Sequence, residues 1–175
     1  MKRRDVIAGL GGLAALGGGA AVALNAGDRG GDDALEPVEL ETLDAPGSTA
    51  GMATVPERGR VTLVELFATW CTVCQSMMPE MADVNDAVGD EVQFLSVSNE
   101  PIGDTVTTGD IAAWWADHDG DWTVAVDRDL ELTKRLDATG VPYTFVFDED
   151  NRIAWKHHGR SESAEIESVV REQLG

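Results

Sequence analysis

Cys71 and Cys74 are the only two cysteines in this 175-residue chain, and two residues separate them. They directly follow an apolar run, residues 61–67, that predicts a buried strand, so the pair falls where a strand meets the next helix. Positions i and i+3 share one face of a helix, which lets two sulfur atoms form and break a bond without backbone movement. The pattern therefore predicts a dithiol redox site.

The two thiols are expected to differ in reactivity. Unpaired N–H groups and the dipole at a helix N-terminus favour the thiolate of Cys71 more than that of Cys74. Cys71 is therefore the expected nucleophile and Cys74 the resolving thiol. A structural disulfide and half of a zinc site are the alternatives. Zinc would need about four ligands, and the three histidines, His118, His157 and His158, are far from the pair in sequence, so no metal is expected.

The charge of the chain is strongly negative. It has 32 acidic and 13 basic residues, a net charge of −19, and its lysines are only Lys2, Lys134 and Lys156. Such a field repels nucleic acid and anionic lipid, so neither is an expected partner. An acidic, lysine-poor surface is typical of a protein adapted to high salt, where screening relieves self-repulsion. An ordinary acidic protein is the alternative.

Residues 1–26 are expected to be an export signal. Lys2, Arg3 and Arg4 precede an uncharged stretch, residues 6–26, that is rich in Gly, Ala and Leu, which is the order of a signal peptide. The adjacent arginines and weakly hydrophobic core resemble a twin-arginine signal. The signal could be cleaved after export, or residues 6–26 could stay as a membrane anchor, and both alternatives stay open. Either would place the cysteines outside the cytoplasm, exported or at the outer face of the cell membrane.

The rest of the chain predicts one α/β domain. Residues 27–37 are Gly- and Asp-rich and are expected to be a flexible acidic linker to a domain over residues 38–175. Hydrophobic periodicity places the elements along that domain. Strands are predicted at residues 38–43, 61–67, 91–98, 122–126, 143–147 and 152–157, and helices at residues 71–88, 107–118, 127–136 and 163–174.

Two motifs together carry a resemblance to a known family. The segment Phe67–Cys74 contains Trp-Cys-x-x-Cys, the segment Thr139–Phe145 contains Gly-Val-Pro, and a hairpin and helix close the chain. This combination resembles the thioredoxin superfamily. The inserted helix and strand between Ser98 and Val126, with the export signal, resemble the TlpA/ResA-like extracytoplasmic thiol:disulfide oxidoreductases. The resemblance implies a thioredoxin-like fold: a central mixed β-sheet flanked by helices, with the inserted helix and short strand after the second core strand.

The resemblance gives roles to residues around the cysteines. The bond before Pro142 is expected to be cis, with its loop against the cysteines, and the backbone of Val141 would then offer a strand edge to a substrate peptide. An ordinary trans loop proline is the alternative. Trp70 is expected to shield the dithiol or to contact substrate.

Glu65 lies six positions before Cys71 in an otherwise apolar strand. Thioredoxins carry a buried Asp at this position. A carboxyl group buried there would have a raised pKa and could take the proton from Cys74, whereas the alternative is a Glu that points to solvent. Two positions depart from the family pattern. Val73 replaces a frequent proline before the second cysteine, and Met77 stands where some ResA-like proteins have a glutamate.

The expected function follows from these residues and the resemblance. The protein is expected to be an enzyme without a cofactor, a monomer that exchanges disulfides with thiol- or disulfide-bearing exported proteins. The expected direction is reduction of substrate disulfides, and cytochrome c maturation is one process that this reduction would serve. A membrane thiol:disulfide reductase is the expected electron donor. A disulfide-forming oxidant and a copper-binding or metallochaperone module are the alternatives. The substrate, the reduction potential and the fate of the signal stay open.

Overall fold

The computed structural model describes residues 34–103 and 105–175. The expected export signal, residues 1–26, lies outside the described residues, as do residues 27–33 of the expected linker. Within the described part of the chain, no helix has the length and apolar character to cross a bilayer.

Seven strands of the described residues form one mixed sheet. The strands are β1 (Val38–Thr42), β2 (Gly51–Val55), β3 (Thr62–Phe67), β4 (Gln93–Ser98), β5 (Thr123–Val126), β6 (Tyr143–Phe147) and β7 (Ile153–His158). Their order across the sheet is β2-β1-β5-β4-β3-β6-β7. The strand β3 pairs in parallel with β4 and antiparallel with β6, so the strand that leads to the cysteines lies in the interior of the sheet.

Helices cover both faces of this sheet. They are α1 (Thr72–Val88), α2 (Thr108–Asp117), α3 (Glu131–Arg135) and α4 (Ser163–Leu174). All six residues of β3 are buried, and its side chains alternate between two core clusters. Leu63 and Phe67 pack with residues of α1, α2 and α4, while Val64 and Leu66 pack with a residue of α3. This is the thioredoxin-like α/β arrangement that the sequence predicts.

The inserted elements also match the prediction. The helix α2 and the strand β5 lie between the second core strand β4 and the helix α3, and β5 pairs in parallel with β4. A capping box starts α2, because Thr107 and Asp110 exchange side-chain and backbone hydrogen bonds. The insertion therefore extends the sheet beyond β4 and gives β1 a partner in β5.

The helix α1 carries the cysteines on a buried face. Cys71 is its N-cap residue and Gly89 its C-cap residue, and Pro79 lies inside it. Three methionines on this face are buried and pack in the core: Met77, Met78 and Met81.

Two elements differ from the prediction. The strand β2 was not predicted, because most of its residues are at least partly exposed at the edge of the sheet and give no strong apolar pattern. The helix predicted to begin at Asp127 begins at Glu131 instead. The Asp127 carboxylate nevertheless accepts hydrogen bonds from the backbone N–H groups of Leu132 at 3.2 Å and Thr133 at 2.8 Å. It therefore serves the first turn of α3 from a position before the helix.

Candidate active site

A disulfide joins Cys71 and Cys74 at the start of α1, with their Cα atoms 5.2 Å apart. Cys71 adopts an extended backbone as the N-cap residue, and its Sγ accepts a hydrogen bond from the backbone N–H of Cys74 at 3.1 Å. In the reduced protein, the same N–H group can stabilise a Cys71 thiolate. The position of the pair at a strand-to-helix junction agrees with the sequence prediction.

The two cysteines differ in their access to solvent. Cys71 is 6% exposed and Cys74 only 1%. Both cysteines are buried in the core, and Cys71 keeps the larger exposed fraction. This order fits an attacking thiol in front and a resolving thiol behind.

The loop before β6 lies on the same core. The peptide bond between Val141 and Pro142 is cis, as expected from the resemblance. Val141 packs against the cluster that contains both cysteines, and the Pro142 carbonyl accepts a hydrogen bond from the N–H of Gly159 at 2.9 Å. The sequence-distant Gly-Val-Pro motif and the cysteine pair thus contribute to one core cluster.

Apolar side chains flank Cys71 on the surface. Trp70 is 71% exposed and Val73 is 43% exposed, whereas nearly all large apolar side chains of the described domain are covered. An exposed Trp gives a large contact area at low conformational cost. Trp70 therefore lies outside the core, next to Cys71 in the chain.

Glu65 is buried in the sheet, with 1% of its surface exposed. It lies between Ser96 of β4 and Thr144 of β6 in the strand register, and its Oε2 accepts a hydrogen bond from the Ser96 hydroxyl at 2.8 Å. Burial raises the pKa of Glu65 to about 7, although the Ser96 hydrogen bond opposes the shift. The solvent-facing alternative for Glu65 is therefore wrong.

The surroundings of Glu65 are polar on a face that is otherwise apolar. The indole Nε1 of Trp122 donates to the Ser96 hydroxyl at 3.0 Å, which links Trp122, Ser96 and Glu65 in one chain. Glu65 Oε1 and the Thr144 hydroxyl have no hydrogen-bond partner among the described residues. A buried acid with one free oxygen and a pKa near neutrality can accept or release a proton at physiological pH.

Glu100 is a site residue that the sequence reasoning missed. It is 5% exposed and follows the end of β4. Its carboxylate accepts hydrogen bonds from the backbone N–H and the hydroxyl of Thr69, at 2.8 and 2.9 Å. The signal was available, because the carboxyl ends of the parallel strands β3 and β4 meet at one edge of the sheet. A polar residue after β4 is thereby brought next to the segment that precedes the cysteines.

Three other residues of the sequence are conspicuous: His157, His158 and Met77. His157 and His158 end β7, where His158 is exposed. Met77, where relatives keep a glutamate, is fully buried. Within the described residues, no group of three or more His, Cys, Asp or Glu side chains is arranged to hold a metal ion.

A disulfide at the start of the first helix after a central strand, with a cis-proline loop on the same core, is the arrangement of a thiol:disulfide oxidoreductase of the thioredoxin superfamily. The fold and the site define that class of protein. The chain belongs to the Redoxin family, whose model matches residues 30–174.

Individual relatives agree with this class. The chain is 26% identical to the thiol-disulfide oxidoreductase YkuV of Bacillus subtilis over 113 residues, which cover 65% of this chain and 76% of that protein. It is 46% identical over 50 residues to a thiol:disulfide interchange protein TxlA homolog of Synechocystis, which is 27% of this chain. The matched segment spans only 28% of the TxlA homolog.

Solved structures share the fold. A Chlorobium tepidum protein assigned as a thiol:disulfide interchange protein DsbE superposes with a TM-score of 0.68 at 22% identity, covering 85% of this chain and 99% of that one. The exposed lipoprotein thioredoxin Etrx1 of Streptococcus pneumoniae superposes with a TM-score of 0.66 at 20% identity, covering 78% and 98%. At these identities the likeness establishes the fold alone.

Proposed function

We propose that the protein is a TlpA/ResA-like reductant of disulfides in exported proteins. In the proposed cycle, the Cys71 thiolate attacks a substrate disulfide and forms a mixed disulfide, and one substrate sulfur leaves as a thiolate. Cys74 then attacks the sulfur of Cys71, which releases the second substrate thiol and oxidises the pair. Glu65 takes the proton that Cys74 gives up. A membrane thiol:disulfide reductase would supply two electrons to restore the dithiol.

The observation that carries this proposal is the graded access of the two sulfur atoms at the start of α1. Cys71 is 6% exposed and its Sγ accepts the Cys74 N–H, whereas Cys74 is 1% exposed. Attack by the outer thiol and closure by the inner one require this order. A purely structural disulfide has no need for it.

The buried carboxyl group of Glu65 supports the reducing direction. Glu65 lies on the same face of β3 as Leu63 and Phe67, which pack in the cluster of the two cysteines. A negative charge near a thiolate destabilises the reduced, anionic form of the pair and so favours the disulfide. A couple whose disulfide is favoured has a low potential and donates electrons.

The direction can be tested by equilibrating the couple with glutathione buffers of known ratio. We expect a potential near the thioredoxin value of about −270 mV. A value near that of the oxidant DsbA, about −120 mV, would reverse the proposed direction. The Cys71→Ser variant is the control, because it cannot form the bridge and should show no transition.

The natural substrates can be trapped. We propose disulfide-bearing exported proteins, with apocytochrome c whose haem-binding cysteines are joined in a disulfide as one candidate, docked on Trp70 and on the backbone edge of Val141. A Cys74→Ser variant should accumulate mixed disulfides through Cys71 that mass spectrometry can identify. A Cys71→Ser variant should trap far fewer proteins. If both variants trap the same set, Cys71 is not the attacking thiol.

We also propose that the domain works outside the cytoplasm as a monomer, in a cell adapted to high salt. The basic start and apolar stretch of residues 1–26 support export, and the acidic composition supports the halophilic origin.

Replacing Arg3 and Arg4 together by Lys should leave the protein in the cytoplasm if the signal is of the twin-arginine type. The mass of the exported chain then shows whether the signal is cleaved, and size-exclusion chromatography in high salt tests the monomer.

A further inference from the structure

Glu100 connects the end of β4 to the segment that joins β3 to α1. Its Oε2 accepts the backbone N–H of Thr69 at 2.8 Å, and its Oε1 accepts the Thr69 hydroxyl at 2.9 Å. The Ser98 hydroxyl donates a third hydrogen bond to Oε2 at 3.1 Å. Both oxygens of one carboxyl group therefore hold one residue, Thr69.

Burial of this carboxyl group needs a reason. Glu100 is 5% exposed, and a carboxylate removed from water is costly unless hydrogen bonds replace its hydration. Its partners are neutral donors of Thr69 and Ser98. Neither the sheet nor a helix requires these bonds for its own backbone, so their direct consequence is the fixed position of Thr69.

Thr69 lies immediately before the reactive part of the chain. Trp70 follows it and is 71% exposed. Cys71 comes next, and its N–H donates to the Ala68 carbonyl at 3.0 Å in a tight turn. The hydrogen bonds that Glu100 accepts from Thr69 thus hold this turn between the end of β3 and the start of α1. A shift of Thr69 would move the Cys71 sulfur relative to the Cys74 N–H group that it accepts from.

We propose that Glu100 is a positioning residue for disulfide exchange: by holding the backbone and hydroxyl of Thr69, it fixes the turn that presents Trp70 and the Cys71 sulfur to a substrate disulfide. The inference rests on the proposed exchange reaction and adds a residue to it. It assigns Glu100 no proton transfer and no contact with substrate.

Four variants distinguish the effect of the hydrogen bonds between Glu100 and Thr69 from the effect of the Glu100 charge. Glu100→Asp keeps the charge but is shorter by one methylene and cannot reach both donors of Thr69. Glu100→Gln keeps the length and loses the charge. Thr69→Val removes only the hydroxyl that Oε1 accepts from, and Thr69→Ser retains it. The second-order rate of the reduced protein with a small aromatic disulfide at pH 7 is the readout, because it needs no natural substrate.

A matched control exists in α3. Thr133 donates its N–H at 2.8 Å and its hydroxyl at 2.7 Å to the buried Asp127 carboxylate, which is the same type of contact. The Thr133→Val variant should lose stability as Thr69→Val does, measured by urea unfolding. Its exchange rate should stay at the wild-type value. A contact that is only structural would behave in the same way at Thr69.

We expect Glu100→Asp and Thr69→Val each to lower the exchange rate about tenfold, since small misplacements of reacting groups carry penalties of this order or larger. Glu100→Gln and Thr69→Ser should stay within about threefold of wild type, and the Glu100→Asp/Thr69→Val double variant should be no slower than either single variant. A wild-type rate in Thr69→Val would overturn the proposal even if Glu100→Asp does not fold. So would a Glu100→Gln variant as slow as Glu100→Asp. Failure of the wild-type protein to react would instead refute the proposed function.

Discussion

At the scale of single residues, the chemistry of the site depends on how the fold distributes exposure and burial among a few polar groups. Cys71 retains an opening to solvent, while Cys74 and Glu65 are 1% exposed. The buried carboxyl group lies on the sheet face that packs against the disulfide, because Glu65 shares a face of β3 with Leu63 and Phe67. A thiol that must lose a proton inside the core therefore has an acid on its own side of the sheet.

Glu65 should make stability depend on pH. Its pKa is raised from an ordinary 4.5 to about 7 in the folded protein, so the folded state retains a proton that the unfolded state has lost. The stabilisation by the protonated form is complete below pH 4.5 and is lost as pH rises through about 7. A Glu65→Gln variant, neutral at every pH, should gain about 2 to 3 kcal/mol of unfolding free energy relative to wild type between pH 5 and pH 8.

Urea unfolding of the oxidised proteins at fixed ionic strength measures this difference. Glu172→Gln, a loss of the same charge at an exposed position of α4, is the control and should not follow the same trend. A Glu65→Gln variant whose stability relative to wild type is the same at pH 5 and pH 8 would show that the folded protein does not hold the extra proton.

How far the sequence predicts the site depends on how each residue is recognised. Cys71, Cys74 and Pro142 stand in short motifs, and Glu65 interrupts an apolar strand, so the sequence alone points to each of them. Glu100 follows β4 in an ordinary polar loop, and only the pairing of β3 with β4 brings it to Thr69. Residues that act through a contact between distant segments carry no local pattern.

At the scale of secondary structure, one acid of α1 binds the start of α4. The Glu80 carboxylate in α1 accepts the N–H of Ser163, the first residue of α4, at 2.9 Å, and a hydrogen bond from Arg160 at 2.9 Å. The Ser163 hydrogen bonds lower the pKa of Glu80, and the positive charge of Arg160 adds to the effect. An acceptor at the N-terminus of α4 also satisfies a backbone donor that the helix itself leaves unpaired.

The Glu80→Gln variant should therefore destabilise the protein by about 1 kcal/mol at pH 7, because it loses the charge that strengthens both hydrogen bonds. The contribution of Glu80 is present above its ordinary pKa of 4.5 and is lost as pH falls through the lowered value in the folded state. Thermal or urea unfolding measures the loss.

Glu167→Gln is the matched control: Glu167 pairs with Arg171 within α4, an exposed pair worth a few tenths of a kcal/mol. Equal losses in the two variants would contradict a special role for Glu80 at the joint.

Helices and strands with a clear local pattern are predicted from the sequence, whereas those that depend on contacts elsewhere in the fold are not. The strand β3 was predicted from its continuous apolar run, and α1, α2 and α4 from their spacing of apolar residues and their caps. The strand β2 is short and largely exposed, and it exists because β1 offers it an antiparallel partner over five residue pairs. The helix α3 starts late because Leu130 adopts a left-handed backbone conformation, with φ of 56°, before the helix begins.

At the scale of the whole molecule, the net charge of −19 acts on every folded conformation. Like charges confined to a compact surface repel one another, which lowers stability at low ionic strength. The ion pairs of the described residues offset little of this repulsion, because their side chains are mostly at least one-third exposed and such pairs are worth about 0 to 1 kcal/mol. Salt should therefore weaken the repulsion between like charges by more than it weakens the ion pairs, and the folded state should gain stability.

Raising NaCl from 0.1 to 1 M shortens the screening length from about 10 Å to about 3 Å, so we expect the free energy of unfolding at pH 7.5 to increase over this range. Salt also strengthens burial of apolar surface in a way that does not depend on net charge, and the two effects must be separated. Near pH 4.2, the isoelectric point expected from the sequence, the protein has no net charge. The same salt step at that pH therefore measures only the effect of salt on apolar burial.

The increase in unfolding free energy should therefore be larger at pH 7.5 than at pH 4.2. An equal increase at both values would show that the acidic surface does not set the salt dependence of this fold, and would remove the main support for a high-salt origin.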